Sequence, residues 1–485
     1  MKLQTQRLET IIQFSLGLNE EIDKITQKAY YFEGFKDFCM ELKSANDVLR
    51  SIFLKELLHL KSKGNLLQFA VLNEAFDTWR SLRTLIYIIE DVRMDNYPKE
   101  TMYPFLDFIH ENNMDCDIFA TDMEDINFSF LEFWLHFKAR LDRLGGSGFS
   151  NRKRVWYQYP KFQRDNILLG TIMSHEFGHY LDITEFKTSA TSYNKLINST
   201  DLNSLYTFIN GVPPEVDRRI ILQSILYTNT SSNNNIVLNW IRELFADIYA
   251  TLLYGPAFYF AQAEFMLFGS YQASTNQSNI NNDLFVISHP PNTLRTYAIT
   301  KTLTNIGVLD HLNEPIKEKF DLYKQSFNVT KDAIQVRNSG NMGSNWPGIY
   351  LSINQEFYIA LFDVFFQLID VLITEAISVF PQGFIFNKDL WLQSQNPVLK
   401  SKIMNLVPPN ELDRKPVPLP VIINCGWVCY YSDFEELVNR YFGSLNEEQR
   451  RFRVFQVLSS LIRKALESSH IQKKWIQRSL SNDIK

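Results

Sequence analysis

Apolar residues recur three and four positions apart through most of this chain, the spacing of one helix face. Leu8, Ile11, Ile12 and Leu16 open the pattern, which returns over Val48 to Leu60 and over Leu66 to Val92. A further helix is expected from Phe128 to Leu144, followed by Gly145 to Gly148, a run that reads as a flexible joint. The pattern then changes: Arg154 to Tyr159 combines aromatic and β-branched residues and predicts a short strand. Helical spacing resumes over Asp165 to Asp182, Pro214 to Tyr227 and Asn239 to Leu253. Two polar loops, Thr228 to Asn235 and Gln272 to Asp283, interrupt it and are candidates for lids or specificity walls, or equally for inert surface. After about residue 305 the pattern is helical again, broken by Asn338 to Asn345 and by the proline-rich Pro408 to Pro420, and no internal repeat is detectable. The expected fold class is mainly α with a small β-sheet. The expected regions are a helical one over residues 1–144, a central one over 150–305 and a mostly helical one over 306–485.

Composition narrows the picture. A chain of 485 residues holds material for two or three domains, and a net charge of −5 gives no reason to expect nucleic-acid binding. The most apolar runs, Gly255 to Tyr271 and Glu356 to Phe380, are broken by Glu264 and by Asp363, Asp370 and Glu375, so they read as core helices and not as membrane spans. The basic cluster from Lys464 to Arg478, interleaved with Leu466, Ile471 and Ile476, reads as the wet side of an amphipathic helix. Met1 to Thr10 lacks the apolar core of a secretory signal, and the four dispersed cysteines do not form a disulfide framework. Cytoplasm is the expected location.

Within this soluble-looking frame one stretch carries chemistry: Ser174-His175-Glu176-Phe177-Gly178-His179-Tyr180. Positions i and i+4 of a helix share a face, so His175 and His179 can turn imidazole nitrogens to one metal ion. Glu176 is then placed to act on a metal-bound water without ligating. Chance alone would produce H-E-x-x-H in roughly one such chain in a hundred, so its surroundings matter. Ile167, Leu168, Ile172 and Phe177 leave the histidines on a polar stripe. Gly178 costs about 1 kcal/mol of helix stability relative to Ala, a cost that makes sense if another segment must come close to the metal.

A structural zinc site would be closed by four ligands, often thiolates, but Cys39 and Cys116 stand alone and Cys425-x-x-x-Cys429 is no common zinc knuckle. A third ligand is therefore expected among later His, Asp or Glu residues. Glu243 and Asp247 are again i and i+4, on a helix otherwise made of Leu244, Phe245, Ile248 and Leu252. Two acids there are costly to bury unless a cation or donors meet them. A solvated face with Arg242 beside Glu243 is the plain alternative; next to H-E-x-x-H, a ligand (Glu243) and an imidazole-orienting acid (Asp247) explain the pattern better.

H-E-x-x-H followed by E-x-x-x-D resembles the gluzincin zinc metallopeptidases. Glu243-Leu-Phe-Ala-Asp247 and His289-Pro-Pro-x-x-x-Arg295 look like segments of the CaaX prenyl endopeptidases and their HtpX-like relatives. Those are membrane proteins. The soluble ImmA/IrrE-like peptidases are similar over the H-E-x-G-H helix and over Glu243 to Pro256, and the likeness spans about residues 165–300. The resemblance implies a zincin-like core, in which an active-site helix and a Glu helix lie beside a short sheet. It implies one Zn2+ held by His175, His179 and Glu243, with Asp247 orienting His175. Glu176 would be the general base and His289 would stabilise the oxyanion, while Arg295 braces the cleft. It also suggests that the Val155–Tyr159 strand offers an edge to extended substrate, with Tyr157 or Tyr159 as a further oxyanion donor. The implied activity is hydrolysis of a peptide or protein substrate by a zinc-activated water. The alternative is a latent zinc-binding regulatory or interaction protein built on the same core, against which the retained Glu176 argues.

Overall fold

The computed structural model describes residues 2–27, 34–66, 68–92, 100, 102–123, 129–160, 166–197, 236–274, 290, 292–326 and 355–482. The described chain is mainly helical with two small sheets. It packs as two units, residues 1–99 with 109–164 and residues 100–108 with 165–485. The division between them falls at 164/165, and residues 306–485 are grouped with 165–305.

The first unit begins with α1 (Lys2–Thr26), α2 (Phe35–Lys63) and α3 (Phe69–Val92), then takes the end of α4 (Tyr103–Glu111) into strand β1 (Cys116–Met123). Strand β2 (Ser129–Glu132), α5 (Trp134–Arg143) and strand β3 (Lys153–Pro160) complete it. The helical stripes meet in part as expected: Leu8, Leu42, Leu49, Phe53, Leu82 and Ile86 are core residues, joined by Phe119, Trp134 and Trp156, with Ile11 and Ile12 packed against them. Leu16, however, is exposed, and Leu18, Ile22 and Ile25 continue the buried face of α1 instead. Arg154 is buried there against the rings of Phe38 and Trp134, 4.2 and 4.6 Å from their centroids, and is paired with Glu41 at 3.1 Å. A guanidinium is tolerated at such depth because aromatic rings and a carboxylate both meet it.

Two expectations fail in this unit. Residues 129–132 form a strand where a helix from Phe128 was expected, because they pair antiparallel with β3 from Ser129–Gln158 to Glu132–Val155. The sheet order is β1-β3-β2, with β1 parallel to β3 over its full length. Val155 to Gln158 is thus bonded on both sides and offers no free edge to a substrate. The Gly145–Gly148 stretch is also not a joint between units. It reverses the chain after α5, with Gly145 N–H donating to Asp142 O at 3.1 Å and Gly146 N–H to Leu141 O at 2.9 Å. A Cβ on Gly146 would lie 2.7 Å from the Phe149 ring and 3.0 Å from the backbone Leu141 O, so the tight turn favours glycine.

The second unit holds a 3-10 turn (Leu169–Ile172), α6 (Met173–Tyr180), a π turn (Leu181–Phe186) and α7 (Thr188–Ile197). There follow α8 (Ile236–Tyr254), α9 (Pro256–Ser274), α10 (Asn292–Asn305), α11 (Glu314–Ser326) and α12 (Gln355–Val379). The remainder is α13 (Lys388–Ser394), α14 (Pro397–Met404), the hairpin β4 (Glu411–Leu412) and β5 (Lys415–Pro416), α15 (Leu419–Ser432), α16 (Phe434–Leu437) and α17 (Glu447–Asn482). Helix α8 is the axis, packed by α6, α7, α10 and α12, and nearly every side chain from Trp240 to Tyr254 is buried. Its junction with α9 turns at Gly255, whose φ of +58° suits glycine. Asn424 of α15 clamps that junction, donating to Tyr254 O at 2.7 Å and accepting from Ala257 N–H at 2.9 Å.

Along α17 the basic residues Lys464, Lys474 and Arg478 are exposed and Leu466 is buried, as the pattern implied. Ile471 and Ile476 are exposed too, whereas the neighbouring Ser469 and His470 are buried and Lys473 reaches Asp107, so these two isoleucines lie off the packed face. No single described helix is both long and apolar enough to cross a membrane; Phe362–Val379 and Gln382–Ser394 reach that threshold only as a pair bent by 110°. The segments Pro214 to Tyr227, Thr228 to Asn235 and Asn338 to Asn345 lie outside the described residues, as does residue 275 onward of the second polar loop.

Candidate metal centre

The H-E-x-x-H segment is helical, but its helix is compound: a 3-10 turn leads in, α6 carries the motif, and a π turn leads out. Ile167, Leu168, Ile172 and Phe177 are buried, so the apolar side read from sequence is the side that packs. Asp182 accepts from Thr188 Oγ1 at 2.5 Å and from Ser189 N–H at 2.8 Å, which ties the π turn to the start of α7. At Gly178 the helix touches α8 directly: a Cβ there would stand 2.8 Å from Ala246 Cα and 2.9 Å from Ala246 O. Ala246 lies in the turn that carries Glu243 and Asp247, so the missing side chain lets two ligand-bearing backbones meet.

Across this contact the side chains converge. His175 Nε2 lies 3.1 Å from His179 Nε2 and 3.2 Å from Glu243 Oε2, and His179 Nε2 lies 3.3 Å from Glu243 Oε1. All ligand atoms of the three residues fall within 4.8 Å of one another, the one such group among the described residues. A tetrahedron with arms of ~2.05 Å, the usual zinc–nitrogen or zinc–oxygen length, has edges of ~3.3 Å. The observed spacings are of that length, with each histidine nearest a different oxygen of Glu243. Two imidazole nitrogens facing each other at 3.1 Å also make poor neighbours without a cation or proton between them.

Behind the ligands stands a buried relay. Asp247, fully buried, accepts from His175 Nδ1 at 2.8 Å, which fixes the tautomer that leaves Nε2 free to ligate. Arg295 of α10 holds both oxygens of Asp247, with Nε to Oδ2 and Nη2 to Oδ1 each at 2.7 Å. Gln262 of α9, with its amide oxygen toward the guanidinium, accepts from Arg295 Nη2 at 2.9 Å and Nη1 at 3.2 Å. Arg295 thus braces Asp247 and is itself buried, 8% exposed, instead of lining a cleft. Gln262 is the participant that sequence reasoning missed; its one signal was an amide in the middle of an apolar helix.

The charges do not cancel. Glu243 and Asp247 are nearly or wholly buried, and the Arg295 guanidinium meets Asp247 alone. Burial acts to raise the Glu243 carboxyl, but hydrogen bonds from His175 and His179 hold it well below the usual range. Burial likewise opposes ionisation of Asp247, and Arg295 overrides it. For His175, burial acts downward, yet the Asp247 carboxylate lifts the imidazole to about 10. In the metal-free cluster these charges favour a proton on His175.

Glu176 follows His175 on α6, is partly exposed, and lies near enough to Arg295 to favour its charged form. The structure therefore brings together His175, His179, Glu243, Asp247 and Arg295, with Glu176 beside them. His289 lies outside the described residues, as does the side chain of Tyr159, and Tyr157 sits in the first unit, so none of the three is assigned a part. No protein-family profile, curated protein or solved structure matches the chain.

Proposed function

We propose that this chain is a zinc-dependent metallopeptidase of gluzincin type acting on a peptide or protein substrate. The observation that carries the reading is the convergence of His175, His179 and Glu243 at tetrahedral-edge spacing, with Asp247 on the far nitrogen of His175. The donor set of two imidazoles and a carboxylate suits zinc and leaves one of four positions for water or substrate, as a catalytic site requires. When bound, the metal supplies Lewis acidity and lowers the pKa of water to ~7.

The remaining steps belong to the chain. Glu176 takes the proton of the attacking water and delivers it to the leaving amine, a role typically worth roughly 10²–10⁴-fold in rate. Asp247, held on two oxygens by Arg295, keeps the His175 ring in the ligating orientation throughout. From the zincin-like architecture the proposal takes the active-site helix and the Glu helix. A substrate-pairing strand is not taken from β3, whose central part is bonded on both edges.

The test is digestion of casein or a peptide library with and without chelator, together with elemental analysis. Wild type should carry one zinc and lose cleavage on chelation. Glu176→Gln should keep the zinc and lose turnover by at least about a hundredfold. Cleavage by that variant at the wild-type rate would remove Glu176 as the base. Zinc without cleavage in the wild type would turn the reading toward a latent zinc-binding protein.

A further inference from the structure

Away from the histidine cluster, the second unit contains a cleft of about 1110 Å3 lined by α9, α11 and the stretch from the end of α15 to the start of α17. One part of its wall is aromatic, formed by Tyr323, Tyr430, Tyr431 and Phe434. Tyr323 and Tyr431 both donate their hydroxyls to Glu264 Oε1, at 2.5 and 3.2 Å, so the two rings are locked around one carboxylate. Trp427 stacks behind Tyr431, with centroids 5.4 Å apart, and Tyr430 stands beside it with centroids 5.2 Å apart. Burial first, then Glu264 for Tyr323 and the Tyr323 phenol followed by Glu264 for Tyr431, holds both phenols above their usual pKa, so both stay neutral donors.

Three features specify what such a wall receives. The Lys319 ammonium lies over the faces of Tyr323 and Tyr431, 5.3 and 5.7 Å from their centroids, so the chain already seats an alkylammonium there. Aromatic faces attract cations within ~6 Å and offer nothing to anions. The lining charges agree: Glu264, Glu314, Glu318, Asp321 and Glu435 outnumber Lys317, Lys319 and Arg451. A metal ion is a poor fit, since among the described residues the His175 group alone brings ligand atoms close enough to hold one. The cleft is also far larger than one lysine head group needs.

We propose that this cleft is a recognition site for an alkylammonium group, and that Lys319 is its internal occupant, displaced when a ligand binds. The same chemistry is presented by a free quaternary amine and by a lysine side chain of a peptide. The inference does not depend on the zinc-peptidase reading, because its ligand touches none of the residues of the metal centre.

The experiment is calorimetric titration of the full chain with choline, with its uncharged isostere 3,3-dimethylbutanol, and with Nα-acetyl-lysine methylamide in its unmodified and trimethylated forms. Choline should bind at least about tenfold more tightly than the isostere. Lys319→Met, which keeps the stem and removes the competing charge at a partly exposed position, should tighten choline binding by roughly 3–30-fold. Tyr431→Leu should weaken it by a similar factor, with a thermal melt confirming that the variant folds. Binding of choline alone identifies a free amine as the source; tighter binding of either lysine amide identifies a peptide. Equal affinity for choline and the isostere, absence of binding by every cation, or an unchanged choline affinity in Lys319→Met would overturn the proposal.

Discussion

Replacing Gly178 with Ala sets two effects of opposite sign against each other. In an ordinary helix the change stabilises by up to about 1 kcal/mol, because Ala loses less backbone entropy on folding. Here the new Cβ would stand 2.8 Å from Ala246 Cα and 2.9 Å from Ala246 O, whereas ordinary contact begins at 3.4 Å. Relief requires α6 and α8 to part by ~0.6 Å, and the obstacle is backbone, which has no rotamer to change. Overpacking of this kind costs typically about 1–3 kcal/mol, enough to cancel or exceed the helix gain. A metal at the proposed site would add to the loss. His175 and His179 ride on one helix and Glu243 on the other, and metal–ligand lengths tolerate only ~0.2 Å. A tenfold loss of zinc affinity removes a further ~1.4 kcal/mol of metal-linked stability. Gly178→Ala is therefore expected to melt below wild type in the presence of zinc, by more than it does in chelator, and to carry less zinc after dialysis. Gly426→Ala is the control: its Cβ would meet Leu168 Cδ2 at 2.8 Å and Ile462 Cγ1 at 2.9 Å, both side-chain atoms that can move, and zinc content should be unaffected. A Gly178→Ala protein that melts higher than wild type with full zinc content would refute the close crossing of the two helices.

Three further outcomes follow from the charges. Arg295→Met leaves Asp247 buried without its guanidinium and should cost about 3–5 kcal/mol in urea unfolding of the chelator-treated protein; a loss under about 1 kcal/mol would mean that Arg295 does not carry the relay. Since Asp247 lifts His175 to about 10 in the metal-free chain, zinc uptake at pH 7 must expel that proton, and calorimetry in buffers of differing ionisation enthalpy should return about one proton per zinc; a value of zero would undo the charge argument. Asp107 is pulled upward by burial but held below its usual pKa by His470 and Lys473, each at 3.1 Å. A depressed carboxyl contributes stability above its unfolded value of ~3.9 and loses it as pH falls through the folded one, so Asp107→Asn should flatten the acid limb of the stability curve; an unchanged limb would contradict the pairing.

Local periodicity made the metal cluster legible and left its surroundings obscure. His175 with His179, and Glu243 with Asp247, are each four residues apart, so the helix geometry that groups them is encoded within one turn. Gly178 gave the crossing point because a small residue inside a helix needs a reason. What joins the two helices is different in kind: 68 residues separate His175 from Glu243, and only the chemical fit of their side chains suggested the pairing. The sheet shows where such reasoning stops. β3 was visible as a strand, but its central place depends on a parallel register with β1, Cys116 opposite Lys153, which no local pattern contains. Ile471 and Ile476 were read by periodicity as an apolar side, yet the side that is covered there carries Ser469 and His470, and which side faces a neighbour is set by tertiary packing. Gln262 was hidden for a related reason, since its partner Arg295 arrives from another helix.

The centre and the core of the second unit are one construction. Helix α8 is buried on almost every face, so the acids it carries cannot turn to water and must be neutralised in place. Arg295 neutralises one carboxylate and forms two hydrogen bonds to it; Glu243 is left to the imidazoles and to whatever cation they share. A proton on His175 answers that need only by giving up the nitrogen lone pair that a metal would use. A divalent ion answers it for both imidazoles and the carboxylate together, and does so at the point where α6 and α8 are in backbone contact. The same ion that would do the chemistry thus also draws together the two helices around which this unit is packed, so occupancy of the site and cohesion of the unit should rise and fall together.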